Sequence, residues 1–151
     1  MFYHNIDPVF LSIGPLEIRY YGLIYAMAFI FALLFLKKYK GAKEFFKGED
    51  HPETLLMYLI IGVILGARLF MMLFYNPSFY FSNPAEILKI WNGGLSFHGG
   101  IFGAAIGGWL FIRRYKKYNY SFLRLADLLS IPAALGLAFG RIANFINGEL
   151  Y

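Results

Sequence analysis

His98 stands behind Gly93-Gly94 and before Gly99-Gly100, where a long apolar run begins. That is much glycine around one ionisable side chain. Arg68 lies inside another apolar run, and Arg141 and Asn144 lie near the end of a third, with Asn147 and Glu149 just beyond. Tyr21 opens the first run. Two arginines make a receptor for an anion, and guanidinium forks suit phosphate. A helix that starts at the His98 glycines, Gly99 and Gly100 included, offers N–H groups to the same anion. A histidine beside it can take a proton near neutral pH. The three histidines (His4, His51, His98) are scattered, and there is no cysteine. No metal site is expected, and no cofactor. The chemistry these residues suit is proton transfer and charge stabilisation on a phosphate-bearing head group.

The elements that hold them read as membrane spans. The chain has 151 residues, of which 59% are hydrophobic and only 15% charged, against about 25% charged in soluble domains. Four segments approach the roughly 20 residues that a spanning helix needs: Tyr20 to Leu36, Thr54 to Tyr75, Leu95 to Ile112 and Leu125 to Asn147. Lys37, Lys38, Lys40, Lys43 and Lys47 fill the first connection, and Arg113, Arg114, Lys116, Lys117 and Arg124 the third. The second connection carries only Lys89. The positive-inside rule then places the first and third connections in the cytoplasm and both chain ends outside. The net charge of +5 belongs to topology, so no nucleic acid is expected. No basic amino-terminal region precedes the first span, so it does not read as a cleaved signal peptide.

The expected fold is an all-α polytopic membrane protein with four transmembrane helices, residues 1–151 forming one transmembrane domain. Outside, "PLEIRYYG" alternates apolar and polar residues and suggests an extended interfacial arm. In "NPAEILKIW", Asn83 as N-cap, Pro84 and Glu86 suggest a short interfacial helix. "FYNPSFYF" supplies aromatic belt residues. Gly99, Gly103 and Gly107 recur every four residues, a spacing that lets helix backbones approach. Asp127 sits at the cytoplasmic end, where it is expected to cap its helix beside Arg124.

With that topology the polar residues share one depth, the outer half of the bilayer. Arg68 lies about 10 Å inside the second span. His98 lies about one turn, and Arg141 about two turns, inside theirs. An ionisable residue there is costly unless paired or hydrated. Two readings stand for most of them. Arg68 suits substrate binding or a structural lock on carbonyls or on Glu149. Arg141 suits phosphate binding or a pair with Glu149. His98 suits catalysis or packing, and Tyr21 binding or a plain interfacial role.

"GRIANFINGE", Gly140 to Glu149, resembles the signature G-R-x-G-N-F-x-N-x-E of bacterial prolipoprotein diacylglyceryl transferases. "LSFHGG" resembles that family's H-G-G element, "DPVFLSIGPLEIRYYGLIY" its amino-terminal block, and "LGARLF…LFYN" its second helix loosely. The resemblance runs through the whole chain. It implies an enzyme of the bacterial cytoplasmic (inner) membrane that moves diacylglyceryl from phosphatidylglycerol to the lipobox cysteine thiol in the prolipoprotein signal peptide. Its partners would be those two substrates and membrane lipid. By motif, His98 and Arg141 would be catalytic, and Tyr21, Arg68, Gly99, Gly100, Asn144, Asn147 and Glu149 would bind substrate. Ala143 departs from the signature glycine, and Phe70-Met71 from a glycine and tyrosine of the second helix. Complete family members have seven helices and an outer head domain with a further arginine. The chain is therefore expected to be the amino-terminal portion, binding anionic phospholipid but transferring slowly alone. Two other readings remain: a membrane protein that binds anionic phospholipid without catalysis, and a small transporter half. The depth of the polar cluster, outward of the midplane, counts against the transporter.

Overall fold

The computed structural model describes residues 9–13, 16–87, 89 and 95–148, with backbone alone at 13, 16, 17, 19 and 21. The elements in chain order are β1 (Val9–Ile13), β2 (Leu16–Arg19), α1 (Tyr20–Lys38), α2 (Lys40–Phe45), α3 (His51–Phe70), α4 (Pro77–Ser82), α5 (Phe97–Arg114) and α6 (Phe122–Ile146). A π-helical turn, Met71–Tyr75, extends α3, and 3₁₀ turns cover Pro84–Ile87 and Lys116–Tyr118.

The four apolar runs fold as α1, α3, α5 and α6. Local signals set their ends. Pro52 occupies the first turn of α3, where its missing N–H costs nothing. Ser96 caps α5, its Oγ accepting the Gly99 N–H at 3.3 Å. Ser121 does the same for the Arg124 N–H at 3.4 Å, so Asp127 is not the cap of α6. Lysines 37 and 38 close α1, and Arg113 and Arg114 close α5, where cations complement the helix dipole. Asn119 then turns the chain with a φ of 53°, a conformation its short side chain tolerates.

His51–Tyr75 and Phe122–Ile146 are long and apolar enough to cross a membrane. Large apolar side chains on these helices and on α5 stay uncovered: Leu65 is 56%, Leu137 53% and, on α5, Ile106 56% exposed. Water would penalise such a surface. Hydrocarbon would not, because lipid tails are as apolar as leucine.

The chain forms two compact units. The first contains β1, β2, α1, α2 and α6 from Ala126. β1 and β2 pair antiparallel, Ile13 opposite Leu16 and Val9 opposite Arg19, with an irregularity between Val9 and Leu11. The expected extended arm is thus the second strand of a hairpin. α1 and α6 pass in opposite directions: a Cβ at Gly136 would meet Ala28 Cβ at 3.8 Å, and one at Gly140 the Tyr25 hydroxyl at 3.3 Å.

The second unit, Phe46–Leu125, is built on α3 against α5. Gly62 lies on Gly103, Gly66 on Gly99 and Gly103, and Gly107 on Tyr58. Higher numbers on one helix meet lower ones on the other, so the pair is antiparallel. A Cβ at Gly62, Gly66, Gly99, Gly103 or Gly107 would overlap backbone of the opposite helix. At the basic end this register seats His51 among rings: Tyr115 at 4.1 Å, Tyr118 at 5.0 Å and Phe111 at 6.1 Å. His51 is 3% exposed. Its Nδ1 lies 2.5 Å from the Tyr120 hydroxyl, which also accepts the Lys47 N–H at 2.8 Å.

That hydroxyl makes a testable anchor. Tyr120→Phe removes the shared partner of His51 and Lys47 and should lower stability by about 1–3 kcal/mol, measured by denaturant unfolding in detergent micelles. Burial pushes the Tyr120 hydroxyl above its ordinary value of 10.0, although the Lys47 N–H pulls the other way. Its contribution is fully present below pH 10.0 and is lost as pH rises through the folded-state value. A midpoint that rises above that pH, once the wild type is compared with Tyr120→Phe, contradicts this.

The connection between α3 and α5 differs from expectation. "PSFYFS" forms α4, and Asn83 ends that helix instead of starting one, its Nδ2 donating to the Phe79 carbonyl at 3.1 Å. Pro84–Ile87 is a 3₁₀ turn. Its last carbonyls are taken by Arg68, as described next. Leu88, Ile90 and Trp91 lie outside the described residues.

Candidate functional site

In the second unit, Arg68 and His98 sit at the same end of the α3–α5 pair. The antiparallel register requires it, and the Ser96 N–H confirms it by donating to the Ala67 carbonyl at 3.0 Å. Arg68 is 5% exposed. Its Nε donates to the Ile87 carbonyl at 3.0 Å, and its Nη2 to those of Lys89, at 3.0 Å, and Glu86. Its Cζ lies 5.0 Å from the Tyr80 ring centre. Of the two readings for Arg68, the lock on carbonyls is the one observed. The guanidinium ties α3 to the end of that turn, where the Glu86 carbonyl also accepts the Lys89 N–H at 3.2 Å. Glu86 and Lys89 pair across that turn at 2.5 Å.

His98 is in the first turn of α5 and exposed. By helix geometry the Phe97 and His98 N–H groups have no partner in their own helix. Gly99 and Gly100 are committed differently. The Gly99 N–H goes to Ser96 Oγ and the Gly100 N–H to the Ser96 carbonyl at 2.9 Å. Gly99 is also buried in the seam, where a Cβ would strike Phe70. The Tyr75 hydroxyl stands 3.4 Å from His98 Nδ1. Tyr75 ends the π-helical turn, and such turns are common at functional sites. The apolar pattern of the second span gave no sign that this tyrosine would meet His98, because the turn shifts it off the α-helical face.

In the first unit, Arg141 and Asn144 lie one turn apart near the end of α6. Arg141 is exposed. Asn144 is half-buried, and its Oδ1 is buried with no hydrogen-bond partner among the described residues, an acceptor open to a donor. The helix then stops: the Asn147 N–H bonds the Ala143 carbonyl at 2.9 Å, and Gly148 takes a φ of 69°. A left-handed glycine after the last turn is the usual helix stop. Tyr21 lies in the first turn of α1, whose start is at the same end of this unit as the end of α6. The Tyr21 side chain and Glu149 lie outside what is described.

A glycine-seamed helix pair, a histidine at a helix start and an Arg-x-x-Asn turn ending in Asn-Gly make a recognisable set. The sequence model of the prolipoprotein diacylglyceryl transferases matches residues 8–151. The chain belongs to that family. Relatives named phosphatidylglycerol–prolipoprotein diacylglyceryl transferase include those of Geobacter sulfurreducens, 43% identical over 151 residues, and Rickettsia canadensis, 46% over 154. Another, from Rickettsia bellii, is 44% identical over 151. Each alignment covers all of this chain and 56–57% of the relative, so the chain spans somewhat over half their length. Membership implies a bacterial inner-membrane protein, in keeping with the two membrane-length helices.

Two departures from the family pattern now have places. Ala143 is fully buried, and its methyl group fits there. Phe70 fills the position of the family's glycine with a ring that stacks on Phe102 at 5.8 Å and faces His98 at 6.5 Å.

Proposed function

We propose that this chain carries the phospholipid-handling part of a phosphatidylglycerol–prolipoprotein diacylglyceryl transferase. The observation that carries the reading is the family match across residues 8–151. In the proposed reaction the lipobox thiolate sulfur attacks the terminal glycerol carbon of the diacylglyceryl group. A C–S bond forms as the C–O bond to phosphate breaks, and glycerol phosphate leaves with the electron pair. His98 takes the thiol proton, since the thiolate is the nucleophile. Arg141 holds the phosphate and stabilises charge on the leaving oxygen. Asn144 and Tyr21 orient the head group; the unpartnered Oδ1 of Asn144 suits a glycerol hydroxyl donor. Asn147 shapes the helix end, and Glu149 fixes an arginine. Arg68 serves the site by holding the Pro84–Ile87 turn.

The proposed topology is four spans, α1, α3, α5 and α6, with the hairpin and both ends on the outer side. The Lys and Arg pattern supports it. Since the chain has no cysteine, single cysteines report cleanly. Ser78→Cys should react with an impermeant maleimide added outside intact cells, and Lys116→Cys only after permeabilisation. The reverse pattern would end this topology.

The function is tested with radiolabelled phosphatidylglycerol and a lipobox peptide. Membranes holding the chain together with the carboxy-terminal portion of a relative should transfer label to the peptide thiol. The chain alone should bind the lipid and transfer far more slowly, because charge-generating chemistry needs a fully lined, dry pocket. No thioether product from the completed protein would refute the assignment.

A further inference from the structure

A trough runs between α3 and α5 along most of their length. Its volume is about 590 Å³. Its floor is the seam itself, Gly62 and Gly66 facing Gly103 and Gly107, where no side chain fills the space. Ile61, Leu65 and Leu69 form one wall, and Ile106 and Leu110 the other. All five are exposed. Only one end is polar, where Thr54, Tyr58 and Arg114 meet. Arg114 is exposed, with the Tyr58 and Tyr115 side chains beside it. Arg113, Lys116 and Lys117 add positive charge at the same end.

Shape and charge select the occupant. From Thr54 to Leu69 the helix rises about 22 Å. Spread over that length, the volume gives a cross-section of roughly 26 Å². That suits one hydrocarbon chain and is far too narrow for a helix about 10–12 Å across. Water has no partners along apolar walls. The length exceeds one leaflet's hydrocarbon, about half of a roughly 30 Å core. A chain lying in the trough would bring its head group to a guanidinium flanked by hydroxyls, a set of donors suited to phosphate.

We propose that this trough seats one acyl chain of an anionic phospholipid, with the phosphate on Arg114. The phosphate end of the site is at the opposite end of the α3–α5 pair from His98, and the trough runs from there along the seam as far as Gly66 and Leu69; the binding does not depend on the transfer chemistry. Its lipid belongs to the leaflet on the basic side of the protein and serves as a bound structural lipid.

Photo-crosslinking tests this. The chain is placed in phosphatidylcholine nanodiscs doped with a lipid carrying a mid-chain diazirine, phosphatidylglycerol in one arm and phosphatidylcholine in the other. Adducts are mapped by mass spectrometry. With phosphatidylglycerol, adducts should concentrate on Ile61, Leu65 and Ile106 over Ile101 and Leu137, which are equally exposed but outside the trough. Arg114→Gln should reduce trough adducts about fivefold with phosphatidylglycerol and leave the phosphatidylcholine arm unchanged. Leu65→Trp should block adducts at Ile61 and Ile106 with helix content intact by circular dichroism. Equal labelling of trough and control positions by both lipids would mean ordinary annular lipid and overturn the proposal. Trough residues that cross-link only to protein would overturn it as well, in favour of a covering helix.

Discussion

Replacing His98 by glutamine should lower diacylglyceryl transfer about 10²- to 10⁴-fold, the usual contribution of a positioned acid–base group. Phosphatidylglycerol binding should stay within about twofold of the parent, because only an interaction made in the transition state is lost. His98 is exposed at a helix start with the Tyr75 hydroxyl beside it, so glutamine fits without disturbing the seam. Arg141→Lys should behave differently. An ammonium keeps the charge but loses the planar fork, and binding should weaken roughly tenfold along with the rate. Tyr75→Phe should have a smaller effect, about 2- to 10-fold on rate for one lost hydrogen bond. The assay is the completed protein in membranes, with a separate lipid-binding measurement. A His98→Gln loss of lipid binding as large as that of Arg141→Lys would defeat this division of roles.

Gly103→Val should be the most damaging substitution for folding, at about 3 kcal/mol by overpacking. A side chain there would overlap the Gly62 carbonyl and crowd the Gly66 Cα. Both obstacles are backbone, so no rotamer change relieves them, and α3 and α5 must separate. Gly100→Ala is the control. Its Cβ would meet only Val63 Cγ1, at 3.7 Å, an ordinary contact. Its stability should stay near that of the parent protein. Urea or SDS unfolding of the purified chain in micelles distinguishes the two. If Gly103→Val unfolds at the same midpoint as Gly100→Ala, the close antiparallel seam is wrong. Loss of the seam would also separate Arg68 from His98, so activity should fall with stability.

The sequence alone carried the long apolar helices and the family. Long apolar runs between basic connections leave few alternatives to bilayer-length helices. The helix starts at His51 and Phe97 fall within three residues of the expected Thr54 and Leu95. The motif residues were legible because "GRIANFINGE" is contiguous, and its glycine stops the helix locally, with a φ of 69° at Gly148. The glycine repeat announced a close helix pair but not its partner.

Tertiary structure decided what depends on distant pairing. For Arg68 the sequence allowed a ligand contact or a lock. The carbonyls that Arg68 meets are those of Glu86, Ile87 and Lys89, about twenty residues on, whose position no local pattern sets. The sequence offers His51 only as one of three scattered histidines, yet the α3–α5 register buries it against Tyr120, 69 residues away. Tyr75 reaches His98 only because a π-helical turn rotates it away from the regular α-helical face. A side chain's contacts across the fold follow from helix register and from where connections close. Those are fixed by packing of glycine against backbone, which a linear pattern of hydrophobicity and charge does not encode.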